Sequence, residues 1–252
     1  MKVTKSNYLS AICLACITLL VVLPMKANDE VESFVNTLMG ANNQVLNIKP
    51  SELEGFYVAT MQDYSVLYVS EDRRWIIRGD LIEIKHEPQL SLIAHTERHI
   101  GSMRETELNA LLAKDVIAFA PPFESPKAVV HVFTDTTCGY CQKLHAEMAD
   151  YHGKGIEIRY LAFPRAGIDS EPYSAMVSAW CSDTPHNALT QLKLGAEIET
   201  KTCENPVADQ YRLGRLFGLR GTPLLVLSNG KTIGGYVNAE ELEEILKGEG
   251  LM

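Results

Sequence analysis

Residues 138–141 read Cys-Gly-Tyr-Cys, placed after the β-branched run Val129-Val130-His131-Val132-Phe133 and opening a helical pattern. Cys138, in the first turn, lies near unpaired backbone N–H groups and the positive end of the helix dipole, which favours thiolate over thiol. Cys141, nearly one turn further along the same face, can close a small disulfide with it. The chemistry such a pair supports is thiol–disulfide exchange. Cys138 attacks a disulfide as thiolate and forms a mixed disulfide, and Cys141 resolves it or waits. Each unit of lowered pKa favours the Cys138 thiolate by roughly 1.4 kcal/mol. Cys141 starts an inward stripe continued by Leu144, His145 and Met148, so it is expected to be the buried member. The other readings are an inert structural disulfide or half of a zinc site. Zinc would want a second closely spaced pair, whereas Cys181 and Cys203 stand 22 residues apart, and no metal is expected.

Three further groups bear on that chemistry. Thr222-Pro223 opens the apolar strand Leu224-Leu225-Val226-Leu227 and by itself marks only a boundary. Cys181 and Cys203 read as a structural disulfide, worth roughly 3 kcal/mol in the chain-entropy model, ahead of a second redox pair. His145 reads as a packed or capping side chain before a proton shuttle. Asp135 reads as an acidic turn residue before a proton acceptor.

The first 27 residues set the compartment. Lys2 and Lys5 precede the apolar run Leu9 to Leu23, and Pro24-Met25-Lys26-Ala27 ends it before Asn28-Asp29-Glu30. This is the layout of a secretory signal peptide, 1–27, with cleavage after Ala27. Its apolar run has 15 residues, short of the roughly 20 that span a bilayer, so an uncleaved anchor is the lesser reading. A lipoprotein signal ending at Cys16 is weaker still. Cys13 and Cys16 belong to the signal, which leaves four cysteines, and an even number in an exported chain favours disulfides. Residues 1–27 hold three Lys and no acid, so their removal takes the formal charge from −9 to −12. No basic stripe remains for nucleic acid.

Behind the signal the pattern predicts an N-terminal domain at 28–87, a linker at 88–125 and a catalytic domain at 126–252. Val31, Phe34, Val35 and Leu38 predict a helix over 29–40. Four short strands, Phe56–Val58, Val66–Val69, Trp75–Ile77 and Leu81–Ile84, predict a meander from Gly55 to His86. So small a sheet is marginal alone, and a partner subunit is expected through an edge strand. Residues 88–118 predict helical segments interrupted at Gly101-Ser102, read as a connecting arm. Pro121, Pro122 and Pro126 predict an extended linker after it.

From 126 onward strand and helix alternate: strand Val129–Thr134, helix Cys138–Tyr151, strand Ile156–Leu161, then helical patterns to about Phe217. Asn229-Gly230 joins a strand near Leu224 to Lys231–Tyr236 as a hairpin, and Asn238 caps a last helix with Glu241 at its third position. The fold class is therefore α+β and α/β, with a small α+β domain, a helical linker and a thioredoxin-like domain carrying a helical insertion. In that fold a proline at position 223 is expected to be cis and to face the cysteine pair. It would expose the preceding backbone for strand-like pairing with an extended substrate.

The chain resembles the DsbC family of periplasmic disulfide isomerases at Phe133–Cys141, then Lys143-Leu144-His145. Tyr160–Arg165, Gly221-Thr222-Pro223 and Leu227–Gly230 strengthen the match, and Val66–Val69 with Ile76–Gly79 resemble the family's dimerisation domain. The resemblance implies a V-shaped homodimer in the periplasm whose two catalytic arms face a cleft. It would shuffle wrong disulfides in misoxidised exported proteins, act as a chaperone, and be kept reduced by a membrane thiol donor of the DsbD type. No cofactor is implied beyond the redox-active Cys138–Cys141 pair. Cys138 would be the nucleophile, Cys141 the resolving thiol, and Gly139, Tyr140, Thr222 and Pro223 the substrate-facing residues. Cys181–Cys203 would be the structural bridge. Two departures stand out. Gln142 follows the second cysteine where the best-known members have His, and the 88–118 segment is longer than the usual linker helix. The alternatives are a holdase with a secondary redox role, a net thiol oxidase, and a DsbG-like reductase of sulfenic acids.

Overall fold

The computed structural model describes residues 23–86, 90–122 and 125–252. The expected signal peptide therefore lies outside the described residues, except for 23–27, which begin a helix. The chain divides into two compact units: residues up to Gln62 with Leu67–Arg78, and Asp63–Val66 with Gly79–Met252.

In the first unit, helix α1 (Leu23–Met39) starts earlier than the expected 29–40. Pro24 falls in its first turn, where a missing N–H costs nothing. Val31 and Val35, four residues apart, pack on a sheet whose order is β1 (Val45–Pro50), β2 (Phe56–Met61), β3 (Val66–Ser70), β4 (Ile76–Arg78). Tyr57, Ala59, Met61, Leu67 and Val69 complete that core. Strand β1 had no counterpart in the sequence reading. It pairs antiparallel with β2, with a register shift between Val45 and Asn47, and Pro50 closes it at the sheet edge.

The expected four-strand meander is corrected after β4. Gly79, at φ +147°, redirects the chain. Strand β5 (Ile82–Lys85) instead pairs antiparallel with β6 (Ser91–Ala94) as a separate two-stranded hairpin. Residues 91–94 are thus a strand, not the start of a helix.

Helix α2 (His95–Ala110) then runs unbroken through Gly101-Ser102, where an interruption was expected. The glycine serves close approach rather than a break. A Cβ at Gly101 would sit 3.3 Å from the Asn229 carbonyl oxygen, and one at Gly230 would land 1.8 Å from the Gly101 carbonyl oxygen. Gly230 itself holds φ +76° in the hairpin turn. A short 3-10 turn (Ala113–Asp115) leads into β7 (Ile117–Phe119), a strand in a segment read as purely helical.

The second unit holds a five-stranded sheet of order β11 (Thr232–Gly234), β10 (Leu224–Leu227), β8 (Ala128–Thr134), β9 (Ile156–Ala162), β7. Strands β8 and β9 are parallel, and β7, β10 and β11 run antiparallel to their neighbours. Alternation along β8 sends Val130 and Val132 into a core with Leu144, Ile158, Leu225 and Leu242. Phe133 turns to the opposite face with Phe163 and Phe217. The helix expected over Cys138–Tyr151 divides at Glu147 into α3 (Gly139–Ala146) and α4 (Met148–Gly153). The insertion contributes α5 (Glu171–Trp180), α6 (Pro185–Lys193) and α7 (Val207–Leu216). Helix α8 (Ala239–Gly248) is capped by the Asn238 side chain, which accepts from the Glu240 and Glu241 N–H groups at 3.1 and 2.9 Å.

Candidate functional site

Strand β8 delivers the chain to the turn Asp135-Thr136-Thr137, and Cys138 caps α3. The turn is clasped by Asp135. One carboxylate oxygen accepts from the Thr137 N–H and hydroxyl at 2.8 Å each, and the other from the Arg165 N–H and Nε at 2.9 Å each. Burial pushes the Asp135 pKa up, but the hydrogen bonds from Arg165 and Thr137 outweigh it and hold the carboxyl below its ordinary range. Asp135 is thus a clasp, with its oxygens turned to Thr137 and Arg165. Because its folded pKa lies below the unfolded one, its stabilisation is present at neutral pH and is lost as pH falls through the folded value. Asp135→Asn should cost about 1–3 kcal/mol at pH 7. The gap to the parent chain should narrow as pH falls below the ordinary carboxylate range, as read by denaturant midpoints at neutral and acid pH.

Both cysteines of the pair are free thiols, Cys138 4% and Cys141 1% exposed. The Cys138 Sγ donates to the Thr222 carbonyl at 3.2 Å. Burial raises its pKa, but Thr222 and the Cys141 and Tyr140 N–H groups of the helix start more than offset this, so Cys138 ionises more readily than an ordinary cysteine. Cys141 moves the other way. Burial pushes its thiol up and dominates over the nearby Lys193 charge and the contacts of Asp135, Thr134 and Thr222. The two thiols are thus shifted in opposite directions, Cys138 toward thiolate and Cys141 toward thiol.

The Thr222–Pro223 peptide is cis, and β10 carries Thr222 across the sheet to the cysteines. Tyr140 is exposed and stacks on Tyr236 with ring centroids 6.5 Å apart, while the Lys143 Nζ stands 4.2 Å over the Tyr236 ring. Gly139 has open space around its missing Cβ. Gln142 donates from Nε2 to the Thr136 carbonyl at 2.9 Å, tying the first turn of α3 to the loop before it. Cys181 and Cys203 are joined in a disulfide that links the end of α5 to the segment before α7. The structure therefore gathers Cys138, Cys141 and Thr222-Pro223 at one place, sets Tyr140 on the exposed side of α3, and leaves Cys181–Cys203 in the insertion.

His145 is buried, shares hydrogen bonds with the Tyr160 hydroxyl at 3.2 Å and the Thr190 hydroxyl at 3.0 Å, and is lowered to about 4 by burial and then by Lys193. It is a packed, neutral side chain. Lys193 escaped the sequence reading. It ends α6 with its Nζ donating to the Thr134 hydroxyl at 2.5 Å and the Asp135 carbonyl at 3.0 Å. Its signal was positional: it stands four residues after Leu189 on the buried face, whereas Leu194 is 77% exposed. Among the described residues, no group of three or more His, Cys, Asp or Glu could hold a metal ion.

Two family models match. One, described as a disulfide bond isomerase protein N-terminal domain, covers residues 25–91, and the other, a thioredoxin-like domain, covers 124–248. The thiol:disulfide interchange protein DsbC of Escherichia coli K12 is 38% identical over 205 residues, 80% of this chain and 83% of that protein. The chain belongs to the DsbC family. DsbC of Haemophilus influenzae is 34% identical over 210 residues, 83% of this chain and 87% of its own. A solved disulfide interchange protein from Neisseria gonorrhoeae is 28% identical with a TM-score of 0.48, covering 55% of this chain and 97% of that one. As a DsbC-family member the chain is a thiol:disulfide oxidoreductase whose electrons are carried by cysteines.

Proposed function

We propose that this chain is a periplasmic, homodimeric disulfide isomerase that rearranges wrong disulfides in misoxidised exported proteins, with Cys138 as nucleophile. The placing of the pair carries this reading: Cys138 at the start of α3 with its sulfur on the Thr222 carbonyl at 3.2 Å, and Cys141 buried behind it. The Cys138 thiolate attacks a substrate disulfide, forms a mixed disulfide and releases a substrate thiolate. That thiolate attacks another disulfide of the same substrate, and the last thiolate formed displaces Cys138. No net electrons move. Cys141 is the escape route: when rearrangement stalls, it closes on Cys138 and frees the substrate reduced, after which a membrane thiol donor of the DsbD type restores the dithiol. The Thr222-Pro223 backbone, Gly139 and Tyr140 form the face met by an extended substrate.

The edge strand β4 supports a dimer. It exposes Ile76 and Ile77 beside Trp75 on an edge that no other strand among the described residues pairs with, a surface that a second copy would cover. The basic start and the apolar run Leu9 to Leu23 support export. Chaperone action belongs to this proposal too, and it should survive replacement of both cysteines, since holding an unfolded chain needs no thiol.

Cys141→Ala tests the assignment of roles. The variant should accumulate mixed disulfides with an unfolded substrate, seen as dithiothreitol-sensitive adducts, while Cys138→Ala forms none. Adducts on Cys141 in the Cys138 variant would reverse the roles.

A further inference from the structure

Lys193 is an unusual floor for a dithiol site. Its side chain is 4% exposed, and an ammonium taken out of water costs several kcal/mol unless compensated. Both of its hydrogen-bond acceptors, the Thr134 hydroxyl and the Asp135 carbonyl, are neutral. The charged and titratable groups around it are otherwise engaged. The Asp135 carboxylate is held by Arg165, and His145 on α3 is bonded to Tyr160 and Thr190. Tyr160 on β9 presents its ring 5.6 Å from Nζ, with its phenol held protonated by burial. His186, on α6 itself, bonds the Ala118 carbonyl. What remains is the cysteine pair. Cys141 exerts the largest favourable charge effect on Lys193, ahead of Asp135 and Cys138. The Asp135 carbonyl that accepts from Lys193 also accepts from the Cys138 N–H at 3.3 Å, and a side-chain hydrogen bond from Thr134 favours the Cys141 thiolate.

We propose that Lys193 is the charge and proton partner of Cys141: its ammonium steadies thiolate character in the pair, and as neutral amine it takes, through the Thr134 hydroxyl, the proton Cys141 gives up on closing onto Cys138. The inference rests on the reading of Cys138 and Cys141 as the redox couple. In the step concerned, the Cys141 sulfur forms a bond to Cys138 and its proton passes to Lys193. The bond from Cys138 to the substrate sulfur breaks, and that sulfur leaves as thiolate with the electron pair. The two cysteines are oxidised and the substrate disulfide is reduced by the same two electrons. A hydroxyl can accept and donate at once, so Thr134 suits the relay. Burial brings Lys193 down to about 8, against the pull of its neighbours, which keeps some neutral amine near neutrality. Lys193 is a positioning residue that acts through Thr134.

The test uses the full chain with Lys193→Met and Thr134→Val, both close in volume to the residues they replace. Three quantities are read: thiolate absorbance at 240 nm against pH, the equilibrium with glutathione, and the pH profile of mixed-disulfide resolution. Lys193→Met should lower the equilibrium constant for the reduced form about tenfold, near 30 mV. It should also slow resolution at pH 7 by about tenfold and move the profile to higher pH. Thr134→Val keeps the charge, so it should slow resolution while moving the equilibrium less. If wild type exchanges disulfides and the Met variant matches it in all three readouts, the inference is overturned and the functional reading stands. A Met variant changed only in stability overturns it equally. A wild-type chain that exchanges no disulfides would sink the functional reading and take this inference with it.

Discussion

Cys138→Ala should reduce recovery of a scrambled multi-disulfide protein to the uncatalysed background, a complete loss of the activity at issue. No other cysteine among the described residues can substitute. Cys141 is 1% exposed with its thiol pushed up by burial, and Cys181 and Cys203 are bonded to each other. The fold should barely register the change, because the lost group is one thiol whose hydrogen bonds go to the Thr222 loop and the start of α3. Its cost should stay near 1 kcal/mol. The measurement compares returning substrate activity with the intact chain, the variant and no protein. Equal recovery with both chains would move the chemistry away from this pair and favour a holdase. Recovery with neither would favour net oxidation or sulfenic-acid reduction.

The second large effect is structural. Gly230→Ala places a Cβ 1.8 Å from the Gly101 carbonyl oxygen while forcing an alanine to φ +76°. The left-handed backbone costs about 1–2 kcal/mol. The clash is backbone against side-chain root, so no rotamer change relieves it, and either α2 or the hairpin must move. We expect a total of about 3–5 kcal/mol, the upper range for a single substitution. Gly101→Ala meets its nearest atom at 3.3 Å inside a helix, where alanine is preferred by about 0.8–1 kcal/mol, so it should be nearly neutral. Urea midpoints of the two variants give the contrast, and similar midpoints would show that the contact is not tight in solution.

That contact also explains where the sequence could mislead. Gly101-Ser102 has the composition of a helix break, and nothing local says that a glycine turn 129 residues later presses against it. Strand β7 has three residues, too few for a period, and is a strand because β9 offers it a partner. Strand β5 carries the same alternation whether it joins β4 or β6, and only the turn at Gly79 decides. By contrast, the Asn238 cap, the Asn229-Gly230 turn and the cysteine pair at a helix start are local signals, and each is where its chemistry requires. Lys193 fell between these cases. A lysine is read as solvated, and only its spacing of four residues from Leu189 on one helix face told otherwise.

The bond between Cys181 and Cys203 has a bearing on how each new copy comes of age. Four cysteines can pair in three ways. One of them braces the insertion and, on the proposed function, needs only reduction of the Cys138–Cys141 bond to begin work. The other two tie both cysteines of the pair to the insertion, so that no Cys181–Cys203 brace forms and the Cys138 sulfur is consumed. A freshly made copy in either crossed state is itself a miswired exported protein, and on the proposed function its finished siblings are equipped to repair it.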